Sequence, residues 1–153
     1  MGDLLEPGTR APTFEGRNQD GAAIRLRDFA GQTVVLYFYP EDDTPGCTRE
    51  SCAFRDDMDA FRQQGAVVFG ISTQDEASHE AFRSKYGLPF DLVADPEKRI
   101  TRTYRALGLF GVAKRVTYVI GPDGTILASF RRVDPRSHSQ EALRIITEVS
   151  RKP

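Results

Sequence analysis

The chain contains 153 residues, of which 39% are hydrophobic and 28% are charged, proportions that are ordinary for a protein with a hydrophobic core. Its formal net charge of −1 gives no electrostatic basis for binding nucleic acid or an anionic membrane, and no apolar run is long enough to span a bilayer. The first residues also lack the basic and apolar regions of a signal peptide. We therefore expect one domain over residues 1–153, without nucleic-acid or membrane partners, in a reducing cytoplasm where a disulfide is transient.

The first part of the chain predicts a hairpin, a buried strand and a helix. Asn18–Gly21 is a turn sequence followed by the short segment Ile24–Leu26, which together predict a hairpin. Val34–Tyr39 is β-branched and aromatic without a breaker, and so predicts a buried strand. A helix should begin after the turn-rich loop that follows and end at Gly65, since glycine often terminates helices.

The second part of the chain alternates strand and helix patterns. The predicted elements are a strand over Ala66–Ser72, a helix over Asp75–Tyr86, a short helix around Ile100 and Tyr104, a hairpin of Val116–Ile120 and Ile126–Phe130, and a helix over Ser139–Arg151. The helix residues expected to pack inward are Ala81, Phe82, Tyr86, Leu143, Ile146 and Val149. This order is that of an α/β thioredoxin-like fold, with a central mixed sheet, helices on both faces and an added N-terminal β-hairpin.

The loop after the first long strand brings a cysteine to the start of a helix. Thr44 fits the N-cap and Pro45 fits the first helical position, which places Cys47 at the third. A thiolate there faces unpaired backbone N–H groups at the positive end of the helix dipole. Because such surroundings favour the nucleophilic form of cysteine, Cys47 is the candidate nucleophile.

Cys52 lies five residues further along the same predicted helix. Residues at that spacing have Cα atoms about 8.6 Å apart and side chains about 140° apart around the axis. Since a disulfide needs Cα atoms within about 7 Å, Cys47 and Cys52 can bond only if the start of the helix unwinds. We hypothesise a helix that is folded when the thiols are reduced and locally melted when they are joined.

Metal binding is disfavoured by the residue types present. A structural zinc site needs four ligands at short spacings, whereas the chain has two cysteines, and His79 and His138 lie far from them in sequence. We predict that both histidines are surface residues and that the basic segment Arg131–Arg136 is a solvated loop. No metal and no cofactor are expected.

The motif Pro40-x-x-x-Thr44-x-x-Cys47 resembles the signature of peroxiredoxins. The longer run Thr44–Cys52 is similar to the bacterioferritin-comigratory-protein, or peroxiredoxin Q, branch of atypical two-cysteine enzymes. The similarity extends along nearly the whole chain, through the segments Gly8–Phe14, Gly70–Ser72 and Arg115–Gly124. This resemblance implies a thiol-dependent peroxidase that reduces hydrogen peroxide and alkyl hydroperoxides.

The resemblance also implies a role for each residue that matches the motif. Cys47 would be the peroxidatic nucleophile that becomes a sulfenic acid, and Cys52 would resolve it as an intramolecular disulfide. Thr44 would hydrogen-bond the peroxide and the sulfur. Arg115 would hold the thiolate anionic and stabilise charge on the leaving oxygen. Pro40 would shield the pocket from water.

Glu50 belongs to a stripe at helical spacing that is formed by Cys47, Glu50, Phe54, Met58 and Phe61. If the carboxylate is buried it needs a cation, and Arg115 is the candidate partner, consistent with the acidic or amide residue that the family uses there. The alternative is a boundary position at which Glu50 is hydrated.

The resemblance further implies a monomer that is recycled by thioredoxin or a similar dithiol reductant. A second hypothesis is a redox sensor or holdase that is switched by the Cys47–Cys52 disulfide. A third, a general thiol–disulfide oxidoreductase, is disfavoured because the spacing is C-x-x-x-x-C and not C-x-x-C.

Overall fold

The computed structural model describes residues 3–131 and 134–151, with side chains to residue 149. Within this part of the chain the strands are β1 (Glu15–Asn18), β2 (Ala23–Arg25), β3 (Thr33–Phe38), β4 (Ala66–Ser72), β5 (Asp91–Ala94), β6 (Val116–Ile120) and β7 (Ile126–Arg131). The helices are α1 (Pro45–Asp56), α2 (Met58–Gln63), α3 (Glu76–Tyr86), α4 (Arg99–Thr103) and α5 (Ser137–Arg151), and short 3-10 helices cover Leu26–Phe29 and Leu109–Gly111. None of these helices combines the length and apolar character that crossing a membrane requires.

The seven strands of the described residues form one mixed sheet in the order β2-β1-β5-β4-β3-β6-β7. β4 pairs in parallel with β3 and with β5, whereas the other neighbours are antiparallel. All six residues of β3 are buried, as expected for a strand covered on both faces. The mixed sheet and the N-terminal hairpin of β1 and β2 confirm the predicted architecture.

Two hydrophobic clusters cover the two faces of the sheet, because alternate residues of β3 point in opposite directions. Leu36 and Phe38 belong to the cluster that includes Ile100 of α4 and Tyr104 after it. Val35 and Tyr37 belong to the second cluster, whose helical members are Cys47, Phe54, Met58, Phe61, Phe82, Ala142 and Ile146. Helices α1, α2, α3 and α5 therefore share one face with the first cysteine, and α4 lies on the other.

The predicted helix from Thr44 to Gly65 is interrupted at one residue. Asp57 has φ −95° and ψ 2°, which ends α1 and begins α2. The apolar stripe crosses this break, since Phe54, Met58 and Phe61 are all buried. Gly65 adopts φ +70°, as the predicted helix stop requires. The single-helix prediction was wrong because neither Pro nor Gly marks the break.

Other predictions differ in detail from the structure. The short strand β5 was missed, since its four residues include a polar first position and follow Pro89 closely. Ala81 is exposed, and Val149 is 41% exposed near the end of α5, so both were wrong as inward residues. Of the predicted basic loop, Arg131 ends β7 and Arg136 is exposed; residues 132–133 lie outside the described residues.

Candidate active site

The loop between β3 and α1 positions Thr44 and Cys47 as the local sequence predicts. Thr44 has extended dihedrals (φ −88°, ψ 155°) at the N-cap, and Pro45 is the first helical residue, so Cys47 is the third. The Thr44 hydroxyl, however, donates to the carbonyl oxygen of Glu41 at 2.9 Å and does not cap the helix. The N-cap position is confirmed, and the hydroxyl is directed into the loop.

The Cys47 sulfur is buried among hydrogen-bond donors. Its side chain is 0% exposed and free of any disulfide. The backbone N–H of Glu41 and Nη2 of Arg115 both lie 3.5 Å from Sγ. The sulfur therefore lies at the helix start as predicted, beside two N–H donors of which one belongs to a cation, and its anionic state stays a prediction.

Glu50 lies beside the same arginine. Arg115 Nη1 donates to Glu50 Oε1 at 2.7 Å, and the Glu50 side chain is 0% exposed, so the predicted pairing is confirmed and the hydrated alternative is wrong. Burial raises the pKa of Glu50 to about 8, although Arg115 opposes that shift. The distance of 2.7 Å between Arg115 and Glu50 Oε1 would by itself suggest that Glu50 is an ionised carboxylate. Full burial favours the carboxylic acid at neutral pH, because Oε2 has no hydrogen-bond partner among the described residues. The charge of Arg115 is then not neutralised and can act on the sulfur.

His138 is buried behind Glu50, so its predicted surface position was wrong. The ring is 0% exposed, with Nδ1 2.7 Å from Thr117 Oγ1 and 3.5 Å from Glu50 Oε2. The predicted helix began two residues too late, at Ser139, which left His138 outside the amphipathic pattern. Since α5 begins at Ser137, its first turn packs against β6 and carries the histidine inward.

His79 is the second buried histidine, and its predicted surface position was also wrong. It is 0% exposed on α3, with Nδ1 2.7 Å from Asp42 Oδ2 in the loop before α1. The spacing along α3 could have predicted this burial, because His79 is three residues before Phe82 and both lie on the buried face of the helix.

Cys52 and Pro40 are the remaining predicted site residues. Cys52 is half-buried on α1 and unpaired, and burial raises the pKa of its thiol. Because Cys47 and Cys52 belong to one intact helix, the geometric argument against a bond in this conformation applies. Pro40 is half-buried between β3 and the loop, and its shielding role stays a prediction.

Comparisons with known proteins identify the family of the chain. The AhpC/TSA family profile matches residues 7–129. The chain belongs to the AhpC/TSA family. Peroxiredoxin Q of Oryza sativa subsp. japonica, which is named as chloroplastic, is 43% identical over 148 residues, covering 95% of this chain and 68% of the relative. Peroxiredoxin Bcp of Bacillus subtilis is 36% identical over 155 residues, covering 97% of this chain and 99% of the relative.

A solved structure extends the likeness to the fold. The bacterioferritin comigratory protein of Xanthomonas campestris matches with a TM-score of 0.88 at 27% identity, over 95% of this chain and 100% of that chain. That protein was studied as trapped intermediate and ligand complexes for its alkyl peroxide reduction activity. The matches confirm the thioredoxin-like fold and place this AhpC/TSA member in the peroxiredoxin Q and Bcp group. This membership indicates a thiol peroxidase, which is an oxidoreductase.

Proposed function

We propose that the protein reduces hydrogen peroxide and alkyl hydroperoxides with Cys47 as the peroxidatic nucleophile. The observation that carries the proposal is the convergence of the Glu41 N–H and the Arg115 guanidinium on Cys47 Sγ, each at 3.5 Å. The alkyl peroxide reduction activity studied in the Xanthomonas campestris relative supports the inclusion of organic substrates.

The first step is attack of the Cys47 thiolate on the distal oxygen of the peroxide. The S–O bond forms as the O–O bond breaks, which leaves a sulfenic acid and an alkoxide or hydroxide that takes up a proton. Arg115 stabilises the charge that develops on the leaving oxygen. Since the proton of Thr44 is directed to the Glu41 carbonyl, the Thr44 oxygen is available to accept the O–H of the hydroperoxide.

The second step is attack of Cys52 on the Cys47 sulfenic sulfur, which forms a disulfide and releases water. It requires α1 to unwind, and the unwinding need not extend into α2, because α1 already ends at Asp57. A dithiol reductant of the thioredoxin type then restores both thiols by exchange. The enzyme acts as a monomer in this scheme. Cytoplasmic location stays a prediction from the sequence.

The proposal is tested by intact mass of the reduced protein, quenched at short times after one equivalent of hydrogen peroxide. The wild-type chain should lose two hydrogens, which digestion should map to a Cys47–Cys52 bond. Cys47→Ser should show no rapid change, and Cys52→Ser should gain one oxygen on Cys47. Equal loss of the first oxidation in both variants would contradict these roles. Fast disulfide formation with negligible turnover by a dithiol reductant would favour the sensor hypothesis.

A further inference from the structure

The loop before α1 is fixed by one buried carboxylate. Asp42 is buried, and its Oδ1 accepts from the Tyr39 hydroxyl at 2.6 Å. Its Oδ2 accepts from the Ser78 hydroxyl at 2.7 Å and lies 2.7 Å from Nδ1 of His79. The second ring nitrogen of His79, Nε2, lies 3.1 Å from the carbonyl oxygen of Val93. Both ring nitrogens therefore face acceptors, and the imidazole ties the loop to α3 and to β5.

Asp42 is the inward-facing residue of this part of the loop. The residues on either side of it, Glu41 and Asp43, are exposed. The carboxylate of Asp43 is bound from outside by Lys85 and Tyr86 of α3, at 2.7 Å each, and its backbone has φ +61°. The buried hydrogen bonds of Asp42 thus hold this part of the loop in place, although the side chains of Glu41 and Asp43 on either side are exposed.

This attachment lies next to the backbone donor that faces the reacting sulfur. The carbonyl of Glu41 accepts from the Thr44 hydroxyl, and the N–H of the same residue lies 3.5 Å from Cys47 Sγ. The Glu41 carbonyl shares one planar peptide unit with the N–H of Asp42, which donates to Gln74 Oε1. A rotation of the Glu41–Asp42 peptide would therefore move the acceptor of the Thr44 hydroxyl directly. It would reach the donor to the sulfur, which belongs to the preceding Pro40–Glu41 peptide, through the backbone of Glu41.

We propose that His79 is a positioning residue for peroxide reduction. Acting through Asp42, it fixes the Glu41–Asp42 peptide, which sets the direction of the Thr44 hydroxyl and, through the backbone of Glu41, holds the adjacent N–H donor to Cys47. This inference rests on the proposed peroxidase function and adds a residue that does not touch the reacting atoms. The alternative is that His79 only stabilises the packing of α3.

Two substitutions at one position separate these roles. His79→Asn places an amide donor near the position of Nδ1 and keeps the bond to Asp42, whereas His79→Gln places it near Nε2 and keeps only the bond to Val93. Both are made in a Cys52→Ser background, where trapping of the Cys47 sulfenic acid with dimedone, read by intact mass, gives the rate constant of the first oxidation. Because a displacement of about 1 Å can slow a reaction about 100-fold, His79→Gln should lower that constant at least about tenfold. His79→Asn should stay within about threefold of the parent.

A matched control removes a buried hydrogen bond elsewhere. On α4, Thr101 donates from its backbone N–H and its hydroxyl to Asp95 Oδ2, at 2.7 Å each. Thr101→Val should lower the melting temperature without changing the rate constant. If His79→Gln does not fold, Asp42→Asn provides the same test, because it changes the other partner of the bond to Nδ1.

The outcomes distinguish this inference from the function on which it rests. An unreactive Cys52→Ser parent would overturn the proposed peroxidase, and this inference with it. A fast parent with unchanged rates in folded His79→Gln and Asp42→Asn would overturn the positioning role alone. Equal slowing by His79→Asn and His79→Gln would also overturn it, since the bond to Asp42 would then be irrelevant.

Discussion

The Glu50→Gln substitution would keep the shape of the buried side chain beside Arg115 and remove its ability to ionise. In the folded protein, burial raises the pKa of Glu50 from 4.5 to about 8. The folded state therefore binds this proton more tightly than the unfolded state does. The resulting contribution to stability is fully present below pH 4.5 and is lost as the pH rises through about 8.

The size of the effect follows from the two pKa values. The difference between 4.5 and about 8 corresponds to about 5 kcal/mol in total. About 3 kcal/mol of it falls between pH 6 and pH 9. Because a neutral carboxylic acid and an amide are alike, wild-type protein and Glu50→Gln should be similarly stable only below pH 4.5, where Glu50 is protonated in both states. From pH 6 to pH 9 the advantage of the variant should grow by about 3 kcal/mol, or about 6–12 °C in melting temperature.

The measurement is urea unfolding of the reduced protein at several pH values between 6 and 9. Ionisable groups away from Glu50 contribute equally to both proteins, so the difference between the two curves reports on Glu50 and the groups it contacts. Glu148→Gln is the matched control, since that exposed carboxylate bonds Arg144 at 2.7 Å on the surface of α5 and should give no such difference. Parallel curves for wild type and Glu50→Gln would refute the argument that burial keeps Glu50 protonated.

Three further substitutions test the packing around the helix start. In Gly46→Ala the new Cβ would lie 2.9 Å from Nη2 of Arg115, so the first oxidation should slow by about tenfold with little change in melting temperature; an unchanged dimedone-trapping rate would contradict this. Ser51→Ala removes the 2.8 Å bond to the buried Tyr37 hydroxyl, which should destabilise α1 by about 1–3 kcal/mol and speed disulfide formation; slower formation in the mass assay would count against it. Gly70→Ala would place Cβ 2.7 Å from the Tyr37 ring and 2.8 Å from Leu92, so urea unfolding should show a loss of about 1–3 kcal/mol, and an unchanged midpoint would contradict this.

The position of the nucleophile could be predicted because it depends on local rules. A buried strand, an N-cap threonine and a proline at the first helical position lie within a dozen residues, and each constrains the backbone independently of the rest of the fold. Local rules could not predict the pairing of Glu50 with Arg115, since these residues are 65 positions apart. It was predicted from the cost of burying an unpaired carboxylate together with the family resemblance.

The two histidines could not be placed by the same rules. His79 meets Asp42 across 37 positions of sequence, and His138 meets Thr117 across 21. A polar residue on an amphipathic helix is usually exposed, and only the tertiary packing of α3 and α5 turns these two inward. The break at Asp57 escaped prediction for a related reason, because the buried stripe continues through it and hides it from a pattern based on periodicity.

The burial of Glu50 also bears on how α1 could open. Unwinding the first turns would expose Glu50 to water, where its pKa returns towards 4.5 and its proton leaves at neutral pH. Opening is therefore coupled to proton release and becomes easier as the pH rises, whereas the buried Phe54 and the Ser51–Tyr37 bond oppose it at every pH. The same carboxyl group that leaves Arg115 free to act on the sulfur thus weakens the helix that must unwind before Cys52 can reach it. The difference between the wild-type and Glu50→Gln unfolding curves measures the upper limit of that coupling, since opening α1 exposes no more of Glu50 than global unfolding does.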